Sequence, residues 1–489
     1  MAVEQEHYSM QNILNYIGGK FLEPCSGEYL DNYEPATGKV YGLIPDSDKE
    51  DIALAVKASG DATKAWAETP REERSRILLK IAQLIDDNLE RLAAAESKDN
   101  GKPLKLAQRV DIPRSSANFR FYATAILHES SDFHESDAEA INMTFRTPIG
   151  TVGCISPWNL PLYLFTWKIA PALAAGNCVI AKPSEMTPMT VFLLSELCAK
   201  AGLPAGVLNI VHGTGKSAGN AIVEHPQIKA ISFTGGTATG KHIIKTAGPM
   251  FKKLSLELGG KNPNIIFDDC DFDQALNTSI RSSFANQGQI CLCGSRIFVQ
   301  RNIYDRFKKE FVAKVEKLKV GPPDADSTKV GALVSKPHME KVLGYIQLAK
   351  EEGGKVLAGG ERVILESPND QGYYVAPTII EGLSHNCRTN QEEIFGPVVT
   401  ITPFETQEEV LAMANSTDYG LSATVWTKNL DRATTVSKAL NSGIVWVNTW
   451  LFRDLRTPFG GVKNSGLGRE GGWYALDFFT EKKNVCVKL

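Results

Sequence analysis

Between Gly150 and Gly260 the sequence alternates short apolar runs with segments of helical spacing, a pattern few architectures accept. Residues 151–156, 177–182, 207–211, 228–234 and 254–258 read as five short strands. Helices are expected between them, around 163–174, 189–201, 217–223 and 239–247. Strands and helices that alternate in this way form a parallel sheet covered on both faces. A ligand of such a sheet sits beyond the carboxyl ends of its strands. Pro157, Trp158, Asn159, Lys182, Glu185, Gly213, Gly215, Thr234 and Gly236 all fall there.

The rest of the chain divides around this unit. From residue 50 to 101 apolar residues recur at helical spacing, as in Ile77, Leu78, Ile81, Leu84 and Ile85. Pro70 before Arg71-Glu72-Glu73 marks a helix start, and Asn100-Gly101 with Pro103 marks an end. A second alternating region, 263–457, carries strands at 264–267, 296–299 and 398–403 and reads as a separate α/β domain. Pieces at 128–146 and 478–488 are strand-like and belong to neither sheet. At 489 residues the chain exceeds what one core usually organises, so two or three domains are expected.

Bulk properties exclude several classes. With 43% hydrophobic and 22% charged residues the composition is that of a soluble globular protein. A net charge of −3 provides no basic footprint for nucleic acid or a membrane surface. Nine scattered cysteines, an odd number without a repeating framework, indicate reduced thiols in a cytoplasmic setting. Cys291 and Cys293 form a C-x-C pair, but no second pair or nearby histidine completes a zinc site, so no metal is expected. Residues 1–10 are polar and acidic, with no apolar signal core. The charge-free stretch 150–167 is interrupted by Pro157, Asn159 and Pro161 and ends at Lys168, so it reads as strand, loop and buried helix rather than a membrane span.

The chemistry centres on Phe284-Ala285-Asn286-Gln287-Gly288-Gln289-Ile290-Cys291 and on the lone acid Glu257 in Leu254-Ser255-Leu256-Glu257-Leu258-Gly259-Gly260. A thiolate adds readily to a carbonyl, and an acid in an apolar setting can take a proton from water. Together they describe covalent capture of a carbonyl followed by hydrolysis. Neither suffices alone, because most intracellular cysteines are small core residues.

Pro157-Trp158-Asn159-Leu160-Pro161, Lys182-Pro183-Ser184-Glu185, Glu257, Cys291, Glu392-Glu393-Ile394-Phe395-Gly396-Pro397 and Phe459-Gly460-Gly461 follow one another along nearly the whole chain. In this order the set resembles the NAD(P)-dependent aldehyde dehydrogenase superfamily. The resemblance implies an α/β fold with a Rossmann-type NAD-binding domain (1–127 and 147–257), an α/β catalytic domain (258–457) and a small strand-based oligomerisation element (128–146 and 474–489). It also implies a homodimer or homotetramer acting on a small aldehyde.

It assigns Cys291 as nucleophile, Asn159 with the Cys291 N–H as oxyanion donors, and Glu257 as the base for water. Cys293 is a rival nucleophile, which the superfamily spacing from Gly288-Gln289 disfavours. Gly213-Thr214-Gly215 with Gly219 is weak by itself. Phe233-Thr234-Gly235-Gly236, opening a helix at Thr239-Gly240, matches the superfamily's turn under the pyrophosphate. Most relatives carry serine where this chain has Gly236, which leaves only the backbone N–H. Ser156, Pro157, Trp158, Ser184 and Leu258 complete the expected cofactor contacts, and Glu393 and Phe395 flank the nicotinamide ribose. Lys182 and Glu185 resemble the pair on the adenosine ribose, where Glu185 would repel a 2′-phosphate and favour NAD. Without the other motifs they would read as a solvated pair on a turn.

Substrate choice rests on narrower features. Asp111-Ile112-Pro113-Arg114 and Trp450-Leu451-Phe452-Arg453-Asp454-Leu455-Arg456 resemble the branch that oxidises 2-aminomuconic and 2-hydroxymuconic 6-semialdehydes, in kynurenine or aromatic-ring catabolism. That branch implies Arg114 and Arg453 as a grip on a distal carboxylate, with Trp167 and Phe459 beside them. Arg453 could instead simply pair with Asp454. Other readings are a broad-specificity dehydrogenase, a coenzyme A-acylating enzyme, which Glu257 argues against, and a non-catalytic scaffold, which the presence of Cys291, Glu257 and Asn159 disfavours.

Overall fold

A computed structural model describes residues 11–489, so the polar, acidic segment 1–10 lies outside the described residues. Five parallel strands form the centre of the first sheet, in the order Lys253–Glu257, Ala230–Thr234, Thr151–Ile155, Cys178–Lys182 and Leu208–Ile210. All five lie within a residue or two of the expected positions. Their apolar residues are buried on both faces, as a parallel sheet under helices requires. Helices Arg71–Asp87, Ile112–Ala125, Pro161–Ala174 and Met189–Ala201 supply one layer, with Phe119, Phe165, Leu173 and Leu194 packed inside. Lys49–Glu68 and Thr237–Ala247 contribute to the other, around Ile52, Val56 and Ile243.

The sheet is wider than expected. A hairpin, Asn15–Ile17 with Lys20–Leu22, adds two antiparallel strands at one edge, and Gly466–Leu467 adds a third at the other. These strands are two or three residues long, too short for any alternation to register in the sequence. Two local expectations are also corrected. The helix after Gly236 opens at Thr237, not Thr239, because Gly236 already occupies the extended cap position. The segment expected as a helix at 217–223 begins as a π-turn, Gly215–Gly219, and continues as Asn220–Glu224.

The second sheet has seven strands, in the order Lys355–Ala358, Thr378–Glu381, Val398–Phe404, Arg296–Gln300, Pro263–Ile266, Ser422–Trp426 and Ile444–Val447. All are parallel except the first. Phe133–Ser136, Ala140–Pro148 and Thr480–Lys488 make a third, three-stranded antiparallel sheet. Phe478, expected to open the tail strand, instead closes the helix Gly472–Phe478. Among the described residues no helix is long and apolar enough to cross a membrane.

Candidate active site

Register places the motifs at one end of the first sheet. Thr234 pairs with Glu257 and Ile155 with Lys182, so four neighbouring strands deliver Ser156, Lys182, Thr234 and Glu257 to the same carboxyl edge. From the second unit comes the loop before Cys291, in which Asn286, Gln287 and Gly288 take successive left-handed φ angles of 51°, 57° and 70°. Two non-glycine residues in that region are unusual, and such backbone persists where surrounding contacts hold it. Here they do. Asn262 Nδ2 donates to the Cys291 and Cys293 carbonyls at 2.7 and 2.9 Å, Trp450 Nε1 to that of Leu292 at 2.9 Å, and Gln287 Nε2 to that of Ala332 at 2.9 Å.

Cys291 stands where two cavities meet. One, of about 260 Å³, is lined by Pro157, Trp158, Asn159, Thr234, Gly235, Gly236, Leu258, Glu393 and Phe395. The other, of about 250 Å³, is mainly apolar and is lined by Cys291, Glu257, Glu470, Tyr163, Trp450, Phe459, Arg281 and Arg453. Cys293 opens into neither, and packs with Leu292, Leu421, Trp446 and Trp450. All nine cysteines are free thiols. Burial, and then the carboxylates of Glu393 and Glu257, push the Cys291 thiol up, while Arg453 pulls it down. Asn159 Nδ2 donates to the Gln289 carbonyl at 2.9 Å, which ties the loop after the first strand to the cysteine loop.

Glu257 is buried and neither carboxylate oxygen has a hydrogen-bond partner. Burial and the neighbouring Glu470 raise its pKa well above the usual carboxylate range, against Lys168, Arg469 and Arg453. Glu470 is itself held: its Oε1 accepts from Lys168 Nζ at 2.8 Å and from the Ser232 hydroxyl at 3.1 Å. The sequence reading missed Lys168 and Glu470. The available signal was a lone lysine in the apolar helix Pro161–Ala174, which needs a buried anion.

The first cavity has a place for the phosphate of a dinucleotide. Gly236 caps the helix Thr237–Ala247 with no side-chain bond, and a Cβ there would meet nothing, leaving free N–H groups and open space for a phosphate. Ser156 Oγ and Thr234 Oγ1 are buried donors without partners. Lys182 Nζ lies 3.2 Å from Glu185 Oε2, with Gly219 packed against the lysine stem. Ser156, Lys182, Ser184, Glu185, Gly215, Gly219, Phe233 and Gly240 do not line the cavity. Gly240 allows close packing, since a Cβ there would lie 2.7 Å from the Leu258 side chain. Glu393 lies over Gly259, where a Cβ would come within 2.2 Å of its Oε2, and accepts from the Gly260 N–H at 2.9 Å. Phe395 meets Trp158 edge-on, with ring centroids 5.2 Å apart. His338, which the sequence did not single out, packs on Trp158 and bonds the Phe395 carbonyl at 2.7 Å.

Beside the second cavity, Arg114 and Arg453 flank Trp167, with guanidinium carbons 5.6 and 5.5 Å from its ring centroid. Arg453 also lies 4.0 Å over Phe459. Arg114 and Trp167 stand behind the cavity wall rather than in it, Arg114 over the ring of Tyr163, which does line it. Arg114 Nε and Nη2 are buried and unpartnered. Burial and the charge of Arg453 lower its pKa, with Tyr163 opposing. Arg453 does not pair with Asp454, whose carboxylate is taken by Arg456 at 2.6 Å. Arg453 thus lines the apolar cavity, and Arg114, with unpartnered donors, lies behind its wall. Among the described residues no group of three or more His, Cys, Asp or Glu side chains is gathered for a metal ion.

The fold agrees with the comparisons to known proteins. The chain belongs to the aldehyde dehydrogenase family, whose model matches residues 21–485. It is similar to the 2-aminomuconic semialdehyde dehydrogenase of Mus musculus, 52% identical over 97% of this chain and 98% of that one. A 2-hydroxymuconic semialdehyde dehydrogenase from a Pseudomonas strain is 46% identical over 98% of this chain and all of the relative. Among solved structures, an aldehyde dehydrogenase of Bacillus cereus in complex with NAD+ is 40% identical, with a TM-score of 0.96 over 100% of this chain and 99% of that one.

Proposed function

We propose that this protein uses NAD to oxidise an unsaturated semialdehyde bearing a distal carboxylate, of the 2-aminomuconic 6-semialdehyde type, to the corresponding acid. The observation that carries this reading is Arg453 in the wall of the apolar cavity that also holds Cys291, with Arg114 across Trp167 from it and behind Tyr163, which lines that cavity. An aldehyde of that shape fits with its carboxylate toward the guanidinium groups and its carbonyl carbon at the thiol. The relatives named for 2-aminomuconic and 2-hydroxymuconic semialdehydes support the same class.

In this reading the Cys291 thiol gives up its proton to solvent and Sγ adds to the carbonyl carbon. The alkoxide of the resulting thiohemiacetal is held by the Asn159 side-chain amide and the Cys291 N–H. Bound NAD supplies the hydride acceptor. Loss of hydride leaves a thioester on Cys291, and Glu257 then takes a proton from water, which attacks the acyl carbon and expels the thiolate. Glu470, anchored by Lys168, keeps a second carboxylate beside Glu257 and so keeps it basic. Glu185, near the ribose, selects NAD over NADP.

We also assign the first sheet, with 1–127 and 147–257, to cofactor binding, residues 258–457 to catalysis, and the three-stranded sheet to subunit contact in a dimer or tetramer. A cytoplasmic location is consistent with nine free cysteines. Turnover of 2-aminomuconic and 2-hydroxymuconic semialdehydes beside an uncharged enal of equal length tests the proposal. A kcat/KM for the neutral aldehyde equal to that of the acids overturns it.

A further inference from the structure

The turn after helix Leu89–Asn100 reaches beneath the loop that carries Asn159. Asn100 Nδ2 donates to the Trp158 carbonyl at 2.9 Å, and Lys102 Nζ donates to the Asn159 carbonyl at 3.1 Å. Glu96, earlier on the same helix, accepts from the Leu162 N–H at 3.3 and 3.4 Å and from the Thr190 hydroxyl at 2.8 Å. Leu162 lies in the first turn of helix Pro161–Ala174, so Glu96 satisfies an N–H that the helix cannot. From the opposite side, Asn286 Nδ2 donates to the same Asn159 carbonyl at 2.9 Å.

Lys102, Glu96 and Asp111 are all fully buried. Lys102 Nζ lies 3.1 Å from Asp111 Oδ1 and 3.9 Å from Glu96 Oε1. Neither Asp111 oxygen has a hydrogen-bond partner, so the lysine charge is what offsets its burial. Burial pushes Glu96 up to about 8, with Lys102 opposing. None of the three lines either cavity. A charged cluster set this deep, away from the reactants but gripping the carbonyl of a reacting residue, acts on that residue's placement.

We propose that Lys102, fixed by Asp111 and Glu96, is a positioning residue for Asn159. By holding the Asn159 carbonyl it sets the backbone so that the side-chain amide points at the oxyanion forming on Cys291. The proposal rests on the oxyanion role given to Asn159 above. It also links two ends of the site, because Asp111 belongs to the π-turn Ala107–Asp111 that leads into the helix carrying Arg114. One lysine therefore braces both the helix of the carboxylate grip and the oxyanion donor.

The test is a double-mutant cycle read by the NADH burst in a single turnover, with cofactor and aldehyde saturating. Lys102→Met should slow the burst by about ten- to a hundredfold, since a misplacement near 1 Å can cost that much. Asn159→Ala should slow it by about a hundredfold or more. Adding Lys102→Met to Asn159→Ala should then change the burst less than threefold, with NAD affinity equal in all four proteins. Full multiplication of the two effects means that Lys102 is merely structural and overturns the proposal. An unchanged burst in Asn159→Ala sinks the oxyanion reading itself, and the proposal with it. If Lys102→Met does not fold, Lys102→Met with Asp111→Leu removes both charges and takes its place in the cycle, with the same two outcomes.

Discussion

Glu257 and Glu470 enter the same cavity with unequal support. Glu470 is bound by Lys168 and Ser232, whereas both oxygens of Glu257 are buried and unpartnered. That inequality leaves one carboxylate held in place by a lysine and the other free to take and release a proton. Three expected outcomes follow from this corner of the site, and two more from its ends.

Cys291 opens to both cavities and Cys293 to neither. Cys291→Ala should abolish NADH formation while NAD still binds, and Cys293→Ala should retain most activity. Stopped-flow absorbance with a parallel binding titration checks both. Loss of turnover in a folded Cys293→Ala protein would reverse the assignment.

Glu257→Ala should leave an NADH burst but let the acyl-enzyme accumulate, with hydrolysis slowed by about 10²–10⁴. Intact-protein mass measurement of the trapped thioester reads this directly. In the unaltered enzyme, hydrolysis should rise with pH through a value well above the usual carboxylate range, because burial and Glu470 hold Glu257 protonated below it. An acid limb that survives unchanged in Glu257→Gln would point to another base.

The same burial has a stability consequence. The pKa of Glu257 is raised on folding, so its contribution is intact below the unfolded carboxylate value and is lost as pH climbs toward the folded one. Glu257→Gln does not titrate. Its advantage over the unaltered protein should therefore be larger at pH 8 than at pH 5. Thermal melts at the two pH values measure it, and a difference independent of pH contradicts the sign argued here.

Glu185 stands 3.2 Å from Lys182 at the carboxyl edge of the sheet. NAD should be used far better than NADP, and Glu185→Gln should narrow the ratio of kcat/KM values by relieving repulsion of a 2′-phosphate. Equal use of both cofactors by the unaltered enzyme excludes this role.

Arg114→Ala and Arg453→Ala should each lower kcat/KM for a carboxylated semialdehyde by about ten- to a hundredfold, the loss of one charge-assisted contact of about 1.5–3 kcal/mol. An uncharged aldehyde of similar length should be spared. Equal losses on both substrates would make the arginines structural and remove the physical support for an anionic substrate.

The sequence by itself determined the parallel core of the first sheet, because strands buried on both faces must be continuous apolar runs and the helices between them leave their own period. It also placed Ser156, Lys182, Thr234 and Glu257 at strand ends, since where a strand ends is a local property. It could not show the hairpin Asn15–Ile17 with Lys20–Leu22 or the edge strand Gly466–Leu467, which exist only because a sheet edge is there to accept them. Nor could it show that Glu470 reaches Lys168 across 302 positions, or that Lys102 supports Asn159. For Arg453 the sequence left Asp454 as an alternative partner, and only the fold gave that carboxylate to Arg456 and set Arg453 over Phe459. Backbone period is written locally and survives in a string of residues. The pairing of buried charges is decided by which distant segments share a low-dielectric space, and that space exists only once the chain has folded.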